Sequence, residues 1–302
     1  MTTFVRSRDG RTLAVEERGE PEGFPIFLLH GTPGSRLGPW PRPAVLHRLG
    51  VRLISYDRPG YGLSDRLFGR RVADVVHDVA DIANALRIES FAVIGRSGGA
   101  PHALACGALL PTRTTKVAAL VPLAPPGAEG LDWFQGMSFS NVAEFTAAAS
   151  GHGAVHELLS PTVERVRDDP TRLVPALDDE LPEPDRRVVA DFGIRRMLAA
   201  TFAEALRHSP AGWVDDALAF SRPWGFDPGS ITVPTLLWHG GEDVFSPAGH
   251  SRWLGERIPD ATLVIEESAA HFGSLAVLPD ILAWLADRPG AVIRRAAAPD
   301  QD

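Results

Sequence analysis

Short, almost wholly apolar runs alternate with glycine-rich loops and amphipathic segments along the first 125 residues. Phe4–Arg8 and Thr12–Glu17 flank Asp9-Gly10, a pair that favours the tight turn of a β-hairpin. Pro25–Leu29 is a compact apolar run that ends in His30-Gly31-Thr32-Pro33-Gly34, a strand entering a flexible loop. Val51–Tyr56 repeats the arrangement and ends in Asp57-Arg58-Pro59-Gly60-Tyr61-Gly62. Val75, Val79, Ile82 and Leu86 then recur at helical spacing on an acidic segment, which predicts an amphipathic helix. Phe91–Ile94 is a third buried strand, followed by Gly95-Arg96-Ser97-Gly98-Gly99 and a small-residue helix to about Leu110; Val117–Leu123 is a fourth. Strands buried on both faces appear as unbroken apolar runs, so the pattern predicts an α/β fold with a mostly parallel central sheet and helices on both faces.

The alternation stops at Pro125-Pro126-Gly127 and resumes with a strand at Thr235–Trp238, a helix at Pro247–Arg257, a strand at Thr262–Ile265 and a last helix through Ile281–Ala286. Between them the chain is helical in pattern, aromatic and broken by acidic, proline-rich loops. Residues 1–126 and 229–302 therefore form the expected core, and 127–228 an inserted helical lid. Val292–Asp302 has the composition of a frayed tail.

Composition narrows the class. A chain of 302 residues, 44% hydrophobic and 23% charged, has enough apolar material to close a core around a pocket. A net charge of -8 argues against a nucleic-acid partner, which needs a clustered basic surface. The lone Cys106 sits in a helical, apolar stretch, where an inert buried thiol is expected and no internal disulfide can form. The N-terminus has no apolar signal region, and the longest near-apolar stretch, Val117–Pro126, is too short to span a bilayer. A cytoplasmic protein without membrane attachment is the expectation. No P-loop, no dinucleotide fingerprint after a strand, no His-Glu-x-x-His and no Cys pair occurs. Neither a cofactor nor a metal is expected; the partner is a small-molecule substrate.

The chemistry centres on Gly95-x-Ser97-x-Gly99. A serine hydroxyl becomes a nucleophile only when a base reaches it and the backbone presents it, and a sharp strand-to-helix turn does the presenting. The pentapeptide alone is a weak signal; its place between an apolar strand and a helix makes it specific. Asp243, in His239-Gly240-Gly241-Glu242-Asp243, follows the Thr235–Trp238 strand, and His271 follows the next one. Ser97, Asp243 and His271 thus fall in triad order just past strand ends, where open α/β sheets assemble their sites. His271 is the expected base and Asp243 its orienting acid. Backbone N–H groups of Thr32 and Gly98 are the expected oxyanion donors, each worth about 3 kcal/mol of barrier. Glu242, adjacent to Asp243, is expected in solvent, while Glu129 and Asp132 are the alternative acids. His30, Asp57 and His239 are read as loop anchors, and His102 as a packed core histidine. Arg96 either binds a substrate carboxylate or forms an internal ion pair, with Asp57 as its expected acid. Trp133, Phe134, Phe139, Trp213 and Trp224 of the insertion are candidate pocket residues.

His30–Gly34, Asp57–Ser64, Gly95–Gly99, Asp243 and His271 together resemble the α/β-hydrolase superfamily with an inserted lid, and the likeness spans residues 4 to 287. It implies an α/β-hydrolase fold and a Ser-His-Asp hydrolase of an ester, less favourably an amide, acting through an acyl-enzyme on Ser97. Haloalkane dehalogenases and epoxide hydrolases carry aspartate where this chain has Ser97. The His-Gly-x-Pro-Gly loop and the Asp-Arg-Pro-Gly-x-Gly-x-Ser stretch are also similar to proline iminopeptidases. Those carry a tryptophan where this chain has Gly98, and lid glutamates that hold the substrate amine; the acidic run 178–185 is the counterpart to examine. Carbon–carbon bond hydrolysis on the same triad, or a ligand-binding receptor of the same fold, remain open.

Overall fold

The computed structural model describes residues 2–177 and 179–288. The tail beyond Val292 and the first residue of the acidic run lie outside them. Among the described residues eight strands form one sheet: β1 (Thr3–Arg6), β2 (Thr12–Gly19), β3 (Phe24–Leu29), β4 (Val51–Tyr56), β5 (Phe91–Arg96), β6 (Thr114–Leu120), β7 (Thr235–Gly240) and β8 (Ala261–Glu266). Their spatial order is β1-β2-β4-β3-β5-β6-β7-β8. The β1–β2 and β2–β4 pairs are antiparallel and every other pair is parallel. The hairpin read from Asp9-Gly10 is thus the antiparallel edge of an otherwise parallel sheet. Strand β5, at the centre, is buried at all six positions, because neighbours pair with both its edges and helices cover both its faces.

Among the described residues ten α-helices accompany the sheet: α1 (Pro43–Leu49), α2 (Val75–Ala85), α3 (Ala100–Leu109), α4 (Phe139–Ser150), α5 (His152–Asp168), α6 (Glu183–Ala190), α7 (Phe192–Ala205), α8 (Ala211–Phe220), α9 (Gly249–Arg257) and α10 (Leu278–Leu285). On one face Val79 and Ile82 of α2, Leu104 of α3 and Leu254 of α9 pack against Phe27, Val93 and Leu237. On the other, Leu46 and Leu49 of α1 meet Ile281, Leu282 and Leu285 of α10 over Ile26, Ile94 and Leu236. The apolar spacing read for α2 matches the face it buries. Helix α1 was not legible, since the seven residues Pro43–Leu49 are too short a run to set a period.

Between β6 and β7 the described residues form helices α4 to α8 and no strand. They bury a core of their own, built on Val155, Leu159, Val163, Leu198, Phe202 and Val214. The end of this segment joins the main core instead, where Phe220 and Trp224 pack beside Leu123 and Phe145. Among the described residues no helix is long and apolar enough to cross a membrane.

Candidate active site

Strands β5, β7 and β8 run parallel, so their C-terminal ends open on one edge of the sheet. Ser97 follows β5, Asp243 lies in the loop after β7, and His271 opens the turn after β8. Ser97 takes φ 54°, the left-handed region that costs a non-glycine residue about 1 kcal/mol or more. The turn is tight enough to need bare neighbours. A Cβ on Gly95 would stand 2.2 Å from the Gly99 carbonyl oxygen, and one on Gly99 would stand 2.1 Å from that of Leu29 in β3. Both glycines of the pentapeptide are therefore there for close backbone packing, and β3 is what the elbow packs against.

His271 is buried, and its Nδ1 lies 2.8 Å from Asp243 Oδ2. Asp243 also accepts the N–H groups of Phe245 at 2.8 Å and Ser246 at 3.0 Å, and His239 Nε2 stands 3.3 Å away. Burial by itself would raise this carboxyl, but the attraction of His271 and hydrogen bonding from His239 and His271 outweigh it. Asp243 is held well below the usual carboxylate range. An ionised Asp243 can accept a proton only from His271 Nδ1, so this contact orients the ring. Glu242, Glu129 and Asp132 are all exposed, so none competes for His271. His239 is locked between Ser251 Oγ and the Ser246 carbonyl, and His102 Nδ1 donates to the Val72 carbonyl at 3.1 Å.

The loop carrying Thr32 is held by residues that the sequence presents as a separate motif. His30 Nε2 accepts the Arg58 N–H at 3.1 Å, and the Arg58 guanidinium donates to the His30 carbonyl. Asp57 accepts the N–H groups of Arg36 at 2.7 Å and Leu63 at 2.9 Å. Thr32 Oγ1 donates to Asp216 Oδ2 at 2.5 Å, and Asp216, fully buried in α8, is also ion-paired to Arg58 and to Arg70, the latter at 2.7 Å. Burial opposes ionisation of Asp216, but the two guanidinium groups prevail and keep it well below the ordinary value. A Cβ on Gly98 would lie 2.1 Å from Thr32 Oγ1 and 3.2 Å from Phe220 Cζ. Position 98 has room for glycine because Thr32 occupies the space a side chain would need.

A cavity of about 430 Å³ joins these groups; Thr32, Ser97, Gly98 and His271 all line it. Of the expected pocket residues, Arg96, Phe139 and Trp213 line it too. Trp133, Phe134 and Trp224 do not. Trp133 donates its indole N–H to the Ala124 carbonyl and meets Phe145 and His250 edge to face; Phe134 sits on its outer side, 42% exposed. Trp224 is sealed in the main core. Aromatic content located the insertion's packing but could not tell its inner wall from its outer one. Phe245 and Phe272, beside the acid and the base, complete the wall, with Phe245 edge-on to the His271 ring at 5.3 Å.

Two more expectations change. Arg96 makes no ion pair with Asp57, whose carboxylate is taken by Arg36; instead Arg96 Nε donates to Ser274 Oγ at 2.7 Å, and its guanidinium lies over Phe272. Of the acidic run 178–185, Glu180 lines the cavity and Asp185 does not. Asp185, fully buried in α6, accepts the backbone N–H groups of His271 at 3.2 Å and Phe272 at 2.7 Å. Nothing in the local sequence marks Asp185 for that duty, because its partners lie 86 and 87 positions away.

The chain matches the model of the alpha/beta hydrolase fold family over residues 25–275, and it belongs to that family. It is similar to a proline iminopeptidase of Xylella fastidiosa, 31% identical over 87% of this chain and 88% of that protein. A 3-oxoadipate enol-lactonase of Acinetobacter baylyi is 32% identical over 34% of the chain, a match spanning 39% of that relative's length. Among solved structures, a bromoperoxidase from Bacillus anthracis superposes with a TM-score of 0.71 at 20% identity, covering 95% of this chain and all of that one. That last likeness speaks for the fold.

Proposed function

We propose that the protein is a serine hydrolase that cleaves an ester of a small to medium, largely apolar substrate. The observation that carries this reading is the 2.8 Å bond from His271 to an ionised Asp243 at the cavity into which the Ser97 elbow opens. His271 Nε2 takes the Ser97 proton as Oγ attacks the carbonyl carbon, and the N–H groups of Thr32 and Gly98 stabilise the oxyanion. The leaving alcohol departs with the proton from His271. Water, activated by the same base, then frees the acid from the acyl-enzyme and restores Ser97. The chemistry needs no cofactor. Helices α4 to α8 act as the lid, shaping the pocket and excluding water.

Labelling with a fluorophosphonate probe, beside p-nitrophenyl esters of rising chain length, tests this. Labelling is expected on Ser97 alone and lost in Ser97→Ala and His271→Ala, and Asp243→Asn is expected to lower kcat by about 10⁴. A folded protein that neither labels nor turns over any ester refutes the reading.

A peptidase reading has one observation in its favour: Glu144 and Glu180 line the same cavity, where an ammonium group could seat. Glu180, however, already accepts from Ser140 N at 3.0 Å and Ser140 Oγ at 2.5 Å, and Glu144 accepts the Trp213 indole N–H at 3.1 Å. Burial also pushes the Glu144 carboxyl up to about 7, which weakens its charge. Faster turnover of a prolyl p-nitroanilide than of any ester would reverse this ranking.

A further inference from the structure

Four arginines are buried among the described residues: Arg36, Arg58, Arg70 and Arg96. The first three are ion-paired, Arg36 to Asp57 and Glu204, and Arg58 and Arg70 to Asp216. Arg96 has no carboxylate within 4 Å among the described residues. Its one hydrogen bond there runs from Nε to Ser274 Oγ, and the ring of Phe272, 5.2 Å from the guanidinium carbon, covers one face. Nη2 is buried without an acceptor. Asp185 and Asp243 act on Arg96 from a distance, but both are committed, Asp185 to two backbone N–H groups and Asp243 to His271. A buried guanidinium without a counter-ion is a costly arrangement, since removal from water is not offset by a partner charge. Burial pushes it down to about 10, so it stays cationic at neutral pH.

A partner has room beside Gly31. Around the point where a Cβ on Gly31 would stand, Ser97 Cβ lies at 3.4 Å and Arg96 Nη1 at 3.7 Å. The absence of a side chain at Gly31 leaves open the space between the nucleophile and the guanidinium, and all three residues line the cavity. The anchoring is rigid as well. Ser274 Oγ, which accepts from Arg96, itself donates to the His271 carbonyl at 2.6 Å, so the guanidinium is indexed to the base as well as to the nucleophile. We propose that Arg96 is a specificity-determining residue that binds a carboxylate on the substrate, and that the preferred substrates are half-esters of short dicarboxylic acids. This rests on Ser97 being the nucleophile. The guanidinium engages the free carboxylate through charge-assisted hydrogen bonds while the ester carbonyl sits on Ser97 a few bonds away.

The test compares monoethyl glutarate with ethyl pentanoate, which differ by a carboxylate in place of a methyl group, in the wild-type chain, Arg96→Met and Arg96→Lys. Wild type is expected to favour the half-ester by at least about tenfold in kcat/KM, and Arg96→Met to bring that ratio down about 50-fold, with Arg96→Lys between them. Fluorophosphonate labelling of Ser97 gives a second readout: glutarate slows it in wild type, neutral pentanamide does not, and Arg96→Met abolishes the protection. A wild-type chain that labels at Ser97 but shows neither the preference nor the protection overturns the inference and leaves the nucleophile standing. An unchanged ratio in Arg96→Met, with protection retained, overturns it too and makes Arg96 a structural residue. Should Arg96→Met not fold, the wild-type preference and protection decide. Absence of labelling at Ser97 sinks this inference together with the hydrolase reading.

Discussion

At the scale of single residues, the site depends on backbone proximity as much as on the reacting groups. Gly98 shows this most sharply. Its missing side chain is replaced in space by Thr32, whose Oγ1 would lie 2.1 Å from an added Cβ. Gly98→Ala should therefore displace Thr32, move one oxyanion donor out of line and lower kcat on a reactive ester by roughly 100-fold while the fold persists. Steady-state kinetics with a circular dichroism control checks this; near-normal kcat would mean that Thr32 is not an oxyanion donor. The same contact explains why a tryptophan cannot stand at position 98. Sequence order was enough to nominate Ser97, Asp243 and His271, because strand ends converge on one edge of a parallel sheet. It could not place Arg96, because Asp57, the acid expected to pair with it, is taken by Arg36.

Two helices of the insertion act on the site through buried carboxylates. Asp185 of α6 holds the backbone of His271 and Phe272, and Asp216 of α8 holds Thr32 while neutralising Arg58 and Arg70. Helices α6 and α8 are thus tied to His271 and to the loop carrying Thr32. Asp216→Asn removes the counter-charge of two buried guanidinium groups, and a loss of about 3–5 kcal/mol in unfolding free energy is expected by urea titration. A loss under 1 kcal/mol would mean that water relieves the two arginines. Neither carboxylate could be singled out from the sequence. An aspartate in an amphipathic helix faces solvent by default, and only the long-range partners, 184 positions away in the case of Thr32, reverse that.

At the scale of the whole molecule, Glu144 is one of several buried groups that tie stability to pH. The Glu144 carboxyl ordinarily titrates near 4.5 and is pushed up to about 7, by burial first and by the charge of Asp216 in addition, while the Trp213 N–H opposes the shift. Below about pH 4.5 both folded and unfolded chains hold the proton and Glu144 has no effect. Between 4.5 and 7 the folded state keeps a proton that the unfolded state has released, so stability falls as pH rises, and above 7 the penalty is complete. Glu144→Gln removes the titrating group, so its Tm should gain on wild type from pH 4.5 to 7 and then run parallel to it. Tm curves parallel throughout would show that the carboxyl is solvated. By itself the sequence determined the mostly parallel sheet, its hairpin, the helical stretch between β6 and β7 and the order in which Ser97, Asp243 and His271 follow strand ends. These follow from apolar runs, turn residues and helical periodicity, which act between near neighbours along the chain. The tertiary structure alone decided which aromatics face the cavity, that Asp185 and Asp216 turn inward, that Thr32 fills the space beside Gly98, and that Arg96 lacks a counter-ion. Each of these depends on groups from distant segments meeting in a water-poor interior, where charge and volume must be matched locally and no local pattern records the match.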